Sequence, residues 1–132
     1  MSNLVSNSVD FESTLNRSIS EVITVYNETI NSNGTIARTL FDYTGYTATM
    51  QIRSKPNAPK VILTLSTSDY SIVLGGTDGT ITLFVDKDTV DASSLSEGVY
   101  YYDIALEIDS KYYDHIYGEI QVRKNITSVW QQ

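Results

Sequence analysis

The chain of 132 residues contains no cysteine and a single histidine. Without cysteine the protein forms neither disulfides nor a thiolate nucleophile, and one histidine cannot complete a typical zinc site. A Ser-His-Asp triad would need the same residue, His115, whose place inside a strand pattern favours a sheet-face position. We therefore expect no enzymatic activity, no cofactor and no metal site.

Positive charge is also scarce. Nine Lys and Arg residues stand against sixteen Asp and Glu, for a net charge of −7. This argues against a nucleic-acid partner, which needs a cationic surface, and against adsorption to anionic lipid. No apolar run approaches the about 20 residues of a membrane span. Residues 1–7 lack the basic start and apolar stretch of a signal peptide.

What the chain does contain is alternation, clearest in residues 98–108. Every second residue forms an apolar or aromatic row, consisting of Tyr100, Tyr102, Ile104, Leu106 and Ile108. The intervening row is mixed. Because successive side chains of a strand point to opposite sheet faces, this pattern predicts a β-strand with one face in a core. Ten tyrosines suit strands and half-wet surfaces.

Similar segments recur along the chain between turn signals. We predict strands at residues 9–14, 19–26, 35–41, 46–53, 61–65, 71–74, 80–85, 98–108 and 112–122, with the polar stretch from 27 to 34 as a loop or hairpin tip. Eight or so short strands indicate an all-β, antiparallel sandwich. Its core should contain Met50, Ile52, Leu83, Tyr102, Ile104, Leu106 and Ile120. We expect an N-terminal arm at residues 1–8, the sandwich at 9–123 and a tail at 124–132.

Three other motifs have two interpretations each. Asp86, Asp88 and Asp91 are spaced like calcium ligands but lack the glycine and terminal glutamate of such a loop, so that capping of a short helical turn by Asp86 or Asp88 is favoured. The glycine-rich residues 75–79 precede a strand, which favours a hairpin turn over a phosphate loop. Several tyrosines lie on two adjacent strands and suit either cross-strand packing or sugar stacking: Tyr100, Tyr102, Tyr112, Tyr113 and Tyr117.

Four blocks in order carry a resemblance to a known group. They are YTGYTATMQIR (43–53), SIVLGGTDGTITL (71–83), LSEGVYYYDI (95–104) and YGEIQV (117–122). Their order and spacing resemble small bacteriophage virion accessory proteins with an immunoglobulin-like sandwich, similar to the N-terminal domain of phage baseplate upper proteins. The chain departs from the pattern in a longer segment at 27–38 and in Tyr43, where leucine is expected.

The resemblance implies a location in the virion and a structural role in its head, neck, tail or baseplate. Partners would be other virion proteins, present in multiple copies in a symmetric assembly. The candidate partner-binding residues are apolar positions in the predicted arm and tail, namely Leu4, Val5, Ile126, Val129 and Trp130. The alternative is a carbohydrate-binding or adhesin domain that recognises a cell-surface glycan, which an exposed aromatic platform would favour.

Overall fold

The computed structural model describes residues 7–15 and 17–124. The strands in this part of the chain are Asn7–Ser8 (β1), Phe11–Thr14 (β2), Ile19–Thr24 (β3), Tyr26–Ile30 (β4), Ile36–Leu40 (β5), Thr47–Arg53 (β6), Leu63–Ser66 (β7), Ile72–Leu74 (β8), Thr80–Val85 (β9), Gly98–Ile108 (β10) and Lys111–Arg123 (β11). A short helix, Lys87–Ala92 (α1), lies between β9 and β10, and Thr67–Asp69 and Gly76–Asp78 form single 3-10 turns. None of the described helices is long and apolar enough to cross a membrane.

Two sheets enclose the core. In one, β11, β10, β6 and β7 lie side by side, with β1 and β2 on the outer edge of β11. The other has the order β3–β9–β8. This is the strand order of an immunoglobulin-like sandwich, with β3, β9 and β8 in one sheet facing β6, β10 and β11 in the other. All seven predicted core residues are buried between the sheets, which confirms the predicted fold class.

The corner before β10 has a further feature of immunoglobulin domains. The hydroxyl of Tyr100, near the start of β10, accepts the backbone N–H of Ser96 at 3.0 Å. This arrangement is a tyrosine corner. Tyr102, two residues on, occupies the position at which antibody domains carry the second cysteine of their inter-sheet disulfide. Its hydroxyl instead donates to the carbonyl of Val9 at 2.6 Å, which ties the edge strand to the core.

The edge formed by β1 and β2 departs from the antiparallel pairing of the other strands. Both strands run parallel to β11, with Asn7 beside Ile116 and Phe11 beside Ile120. Asn7 and Ser8 therefore pair in the sheet although the sequence pattern assigned them to the arm. At the break between the two strands, the carboxylate of Asp10 accepts the backbone N–H of Glu119 at 2.9 Å.

Gly118 is required at this break. A Cβ atom placed there would lie 1.9 Å from the carbonyl oxygen of Val9. That distance is far inside van der Waals contact, so no other residue fits unless the edge strand moves. The same Val9 carbonyl is the acceptor for Tyr102.

β4 and β5 form an antiparallel two-stranded ribbon between β3 and β6. β5 confirms a strand within the predicted residues 35–41. The prediction that residues 27–34 form a loop or hairpin tip is wrong for residues 27–30, which belong to β4, because cross-strand pairing outweighs the polar composition of that segment. The base of the ribbon is held by the turn between β8 and β9, because Val25 N–H donates to the Gly79 carbonyl at 2.8 Å and Tyr43 N–H to the Gly76 carbonyl at 2.9 Å. Residues 75–79 thus connect two strands, as the sequence predicts.

A β-bulge in β11 places the single histidine. Ile104 pairs with Ile116 and Ala105 with Asp114, which leaves His115 as the extra residue. Because a bulge shifts the alternation by one, His115 and Ile116 both point inward and are buried. The prediction that His115 is a structural residue of the sheet holds, and its face is the core.

Helix α1 begins as predicted from its acidic residues. The side chain of Asp86 accepts the backbone N–H of Thr89 at 2.7 Å, which is the geometry of an N-cap. Asp88 lies inside the first turn, where a negative charge is favourable.

Candidate functional site

The ribbon presents a group of exposed apolar side chains. The register pairs Tyr26 with Leu40 and Ile30 with Ile36, and period-two alternation puts these four side chains on one face. Their exposed fractions are 49% for Tyr26, 44% for Leu40, 79% for Ile30 and 64% for Ile36. Large aliphatic side chains this exposed, and adjacent to one another, make this face a candidate interaction surface.

A charged pair divides this apolar face in the middle. Arg38 and Glu28 lie opposite each other, with the Arg38 Nε atom 2.7 Å from Glu28 Oε2. The Arg38 guanidinium also lies 5.6 Å from the centre of the Tyr26 ring, a cation–π distance. Both charged side chains are well exposed, so that the pair adds little to stability and remains available to a partner.

A cleft of about 530 Å³ lies on the outer face of the larger sheet. It runs across β6, β10 and β11 to the edge at β1. Its charged and aromatic lining consists of Asp10, Arg53, Tyr101, Tyr102, Asp103, Tyr117 and Glu119. Alternation turns those from β6, β10 and β11 away from the core, apart from the buried Tyr102. Asp10 lies at the break between β1 and β2.

The electrostatics of the cleft are dominated by carboxylates. Asp103 has a raised pKa, first because burial disfavours its charged form and then because Asp114 is nearby, while Arg53 acts in the opposite direction. Arg53 is itself held by the protein, since its Nη1 donates to the Ala58 carbonyl at 2.6 Å and its Nη2 to Gln51 Oε1 at 2.8 Å.

A third cluster, around His115, is buried in the core. The His115 Nε2 atom lies 2.7 Å from the Tyr43 hydroxyl, and the His115 ring packs against Phe41 with centroids 5.0 Å apart. Burial lowers the pKa of His115 to about 4 and raises that of Tyr43. The pair is thus neutral in the folded protein at ordinary pH, and it links the base of the ribbon to β11.

The sequence-predicted site residues fall in different places. Leu4, Val5, Ile126, Val129 and Trp130 lie outside the described residues, so their role stays a prediction. Of the five tyrosines considered for sugar stacking, Tyr100 and Tyr102 are buried, which excludes them from any surface platform. Tyr112 and Tyr117 are 72% and 52% exposed, and Tyr117 lines the cleft.

Sequence reasoning missed both the ribbon face and the cleft. The ribbon had a readable signal, because Tyr26 and Ile30 alternate with polar residues as a strand face does. For the cleft, alternation in residues 98–108 puts Tyr101 on the mixed row, but its neighbours come from strands far apart in sequence. Within residues 7–15 and 17–124, no group of three or more His, Asp and Glu side chains is placed to hold a metal ion.

Comparisons with known proteins give several solved structures of partial similarity, two of which are described here. No family model matches the chain, and no curated protein matches it. The insect immune protein hemolin aligns over 94% of this chain at 16% identity, with a TM-score of 0.37. A family 123 glycoside hydrolase from Clostridium perfringens aligns over 90% at 13% identity, with a TM-score of 0.35. The chain spans 28% and 23% of the lengths of these two proteins.

Proposed function

We propose that this protein is a structural subunit of a bacteriophage virion, without enzymatic activity, that works by docking to other proteins of the particle. Further copies of the same chain are the first of these partners. The observation that carries the proposal is the exposed apolar face of the ribbon, with Ile30 and Ile36 at its outer end. The resemblance of the four sequence blocks to virion accessory proteins supports the same role.

In an isolated monomer the ribbon leaves apolar side chains in contact with water. A two-stranded hairpin is marginally stable in water unless it packs against another element. Here the base is fixed to the turn between β8 and β9, but the apolar face of β4 and β5 stays exposed. Docking would remove that face from water, and each fully buried aliphatic side chain contributes about 1.5–3 kcal/mol.

The pattern of the face is complementary to itself. Consider two ribbons packed face to face about a two-fold axis that runs along the strands. Strand β4 of one copy then faces β5 of the other, so that Glu28 meets Arg38 and Ile30 meets Ile36 of the second copy. An axis across the strands would instead oppose Glu28 to Glu28. The charges therefore select a dimer with both ribbon tips at the same end.

Such a contact is small. The ribbon has five residue pairs, whereas a standard interface buries about 800 Å² on each partner. A single ribbon contact should therefore be weak. In a particle with many copies, avidity multiplies weak contacts, and the predicted arm and tail would add to them.

Sedimentation velocity over a concentration series tests the ribbon contact. We expect reversible dimerisation of the wild type at roughly millimolar concentration. Replacing Ile30 and Ile36 together with Ser should abolish it. The matched control replaces Thr29 and Ala37 with Ser, a cross-strand pair on the opposite face of the ribbon, and should dimerise normally.

A charge exchange tests the orientation. Glu28→Arg and Arg38→Glu should each fail to self-associate, because like charges then face one another. An equimolar mixture of the two variants should form a heterodimer, because each charge regains an opposite partner. A wild type that stays monomeric throughout, together with phage particles that take up the Ile30/Ile36 double variant at full occupancy, would contradict the ribbon as a docking surface.

A further inference from the structure

We infer that the cleft on the outer face of the larger sheet is a receptor for a cationic side chain, arginine before lysine, presented by a partner protein. The inference deepens the proposed function, on which it rests, and names the chemistry of a partner at a surface separate from the ribbon. Tyr101, Asp103 and Tyr117 form the centre of this site.

The two tyrosines supply aromatic walls. Tyr101 pairs with Glu119 and Asp103 with Tyr117, so Tyr101 and Tyr117 are diagonal neighbours on adjacent strands. Diagonal residues of an antiparallel pair lie about 7–8 Å apart, which is room for one planar group between two rings. A guanidinium fits this space best, because it is flat and attracted to the faces of aromatic rings.

The carboxylates supply the charge. Asp10, Asp103 and Glu119 all line the cleft, against one cation, Arg53. Two protein acceptors already engage the Arg53 guanidinium, which keeps it beside Gln51 and Ala58. Asp103 pairs with Gln51 and Tyr117, neither of which carries a positive charge, so that Arg53 remains the only cation of the cleft lining.

This balance favours a cation over a sugar. A neutral glycan needs a few hydrogen-bonding groups and a ring to stack on, and it gains nothing from a net negative field. An acidic glycan would be repelled by it. A basic segment of a partner gains from the local carboxylates and from long-range attraction to a chain of net charge −7.

Titration of the isotope-labelled protein with acetyl-Gly-Arg-Gly-amide, followed by NMR, tests the site. We expect saturable shifts at the amides of Tyr101, Asp103 and Tyr117, and none with the citrulline peptide, which has the same shape without the charge. Asp103→Asn should weaken binding by roughly tenfold. The control Glu107→Gln makes the same charge change on the same outward row of β10, outside the cleft, and should bind as the wild type does.

A second matched pair tests the aromatic wall. Tyr117→Ala should weaken binding, while Tyr112→Ala, an exposed tyrosine of the same strand outside the cleft, should not. Equal binding of arginine and citrulline peptides would overturn the inference, as would shifts of the cleft amides by maltotriose or N-acetylglucosamine but not by the arginine peptide. Because the ribbon is tested by self-association, failure here is distinguishable from failure of the proposed function.

Discussion

The hairpins β10–β11 and β4–β5 follow the same local rules but end in opposite environments. Both are antiparallel, and both close with residues in the left-handed region, Asp109 and Ser110 in one and Gly34 in the other. Each carries an apolar row on one face. In β10 that row, with Ile104 at 0% exposure, lies under the second sheet. In the ribbon it stays open, with Ile36 at 64%.

The difference shows that alternation defines the two faces of a strand but not which face becomes covered. The row of β10 is buried because β9 and β3 return across it in the second sheet. The ribbon leaves β3 and comes back to β6 at one end of the sandwich, and among the described strands none pairs with its edges. We infer that a partner protein covers its apolar face.

The largest expected difference between the two hairpins is in the stability cost of the same truncation, isoleucine to alanine, made in each. Ile104→Ala should lower the free energy of unfolding by about 2–5 kcal/mol, since it leaves a cavity between the sheets. Ile36→Ala should change it by less than about 0.5 kcal/mol, because its side chain is already in water. Chemical denaturation followed by fluorescence measures both. A cost above about 2 kcal/mol for Ile36→Ala would mean that the ribbon face is part of the core.

Most of the fold could be predicted from the sequence because one face of each central strand is buried. Val85 in β9, Met50 in β6 and Ile104 in β10 each belong to a row of every second residue that faces the core. Glycine, or Asp109 and Ser110, mark turns between these segments. Parallel pairing of the edge strand could not be predicted, because the pattern of residues 9–14 is the same whichever way the strand runs. It depends on Gly118, whose need for a bare backbone appears only beside Val9.

The candidate sites were less predictable for a physical reason. A cleft on a sheet face is formed by residues that pairing brings together, such as Gln51 from β6 and Tyr117 from β11. Cross-strand register decides which polar residues meet, and the bulge at His115 shifts that register by one. A bulge leaves no certain mark in a single sequence.

The next largest effect is the pH dependence of stability caused by His115. Its pKa is about 4 in the folded protein, against an ordinary 6.5, because burial disfavours the imidazolium. Between these values the unfolded chain binds a proton that the folded chain does not. His115 therefore leaves stability unchanged well above pH 6.5 and lowers it as the pH drops toward 4, by about 3 kcal/mol in total. Denaturant titrations from pH 7.5 to 4.5 measure most of this loss.

The double variant Tyr43→Phe, His115→Phe is the control for this dependence. It removes both ends of the 2.7 Å hydrogen bond, so that no partner is left unsatisfied. Its stability should no longer fall toward pH 4.5, because carboxylates with lowered pKa values, such as Asp69 and Asp86, lose their contribution only at more acidic pH. The raised pKa of Asp103 adds only a slope of the opposite sign. An equal slope in both proteins would assign the effect to other groups.

A smaller loss of stability is expected when a glycine of either hairpin is replaced with alanine. Gly118→Ala should destabilise the protein by about 1–3 kcal/mol, because the new Cβ overlaps the Val9 carbonyl and displaces the acceptor of Tyr102. Gly34→Ala in the ribbon tip meets no atom within 4 Å and should cost about 1 kcal/mol from its φ of 87° alone. Hydrogen exchange should show lost protection at β2 in the first variant only.

Removal of the tail should have the smallest effect on stability and the largest effect on assembly. A variant that ends at Asn125 keeps every described strand, since β11 ends at Arg123. Its free energy of unfolding should therefore change by less than about 0.5 kcal/mol. If Ile126, Val129 and Trp130 anchor the protein to neighbouring subunits, this variant should fold normally but fail to join particles, because the weak ribbon contact alone cannot hold it.

The occupancy of particles, measured beside the Ile30/Ile36 double variant, separates the docking elements. Loss of incorporation in both variants means that tail and ribbon act together, as avidity requires. Full occupancy of the truncated variant would show that the tail is not the anchor. The docking surface would then be the ribbon face or the cleft. If the Ile30/Ile36 double variant also joined particles at full occupancy, the cleft would be the remaining docking surface.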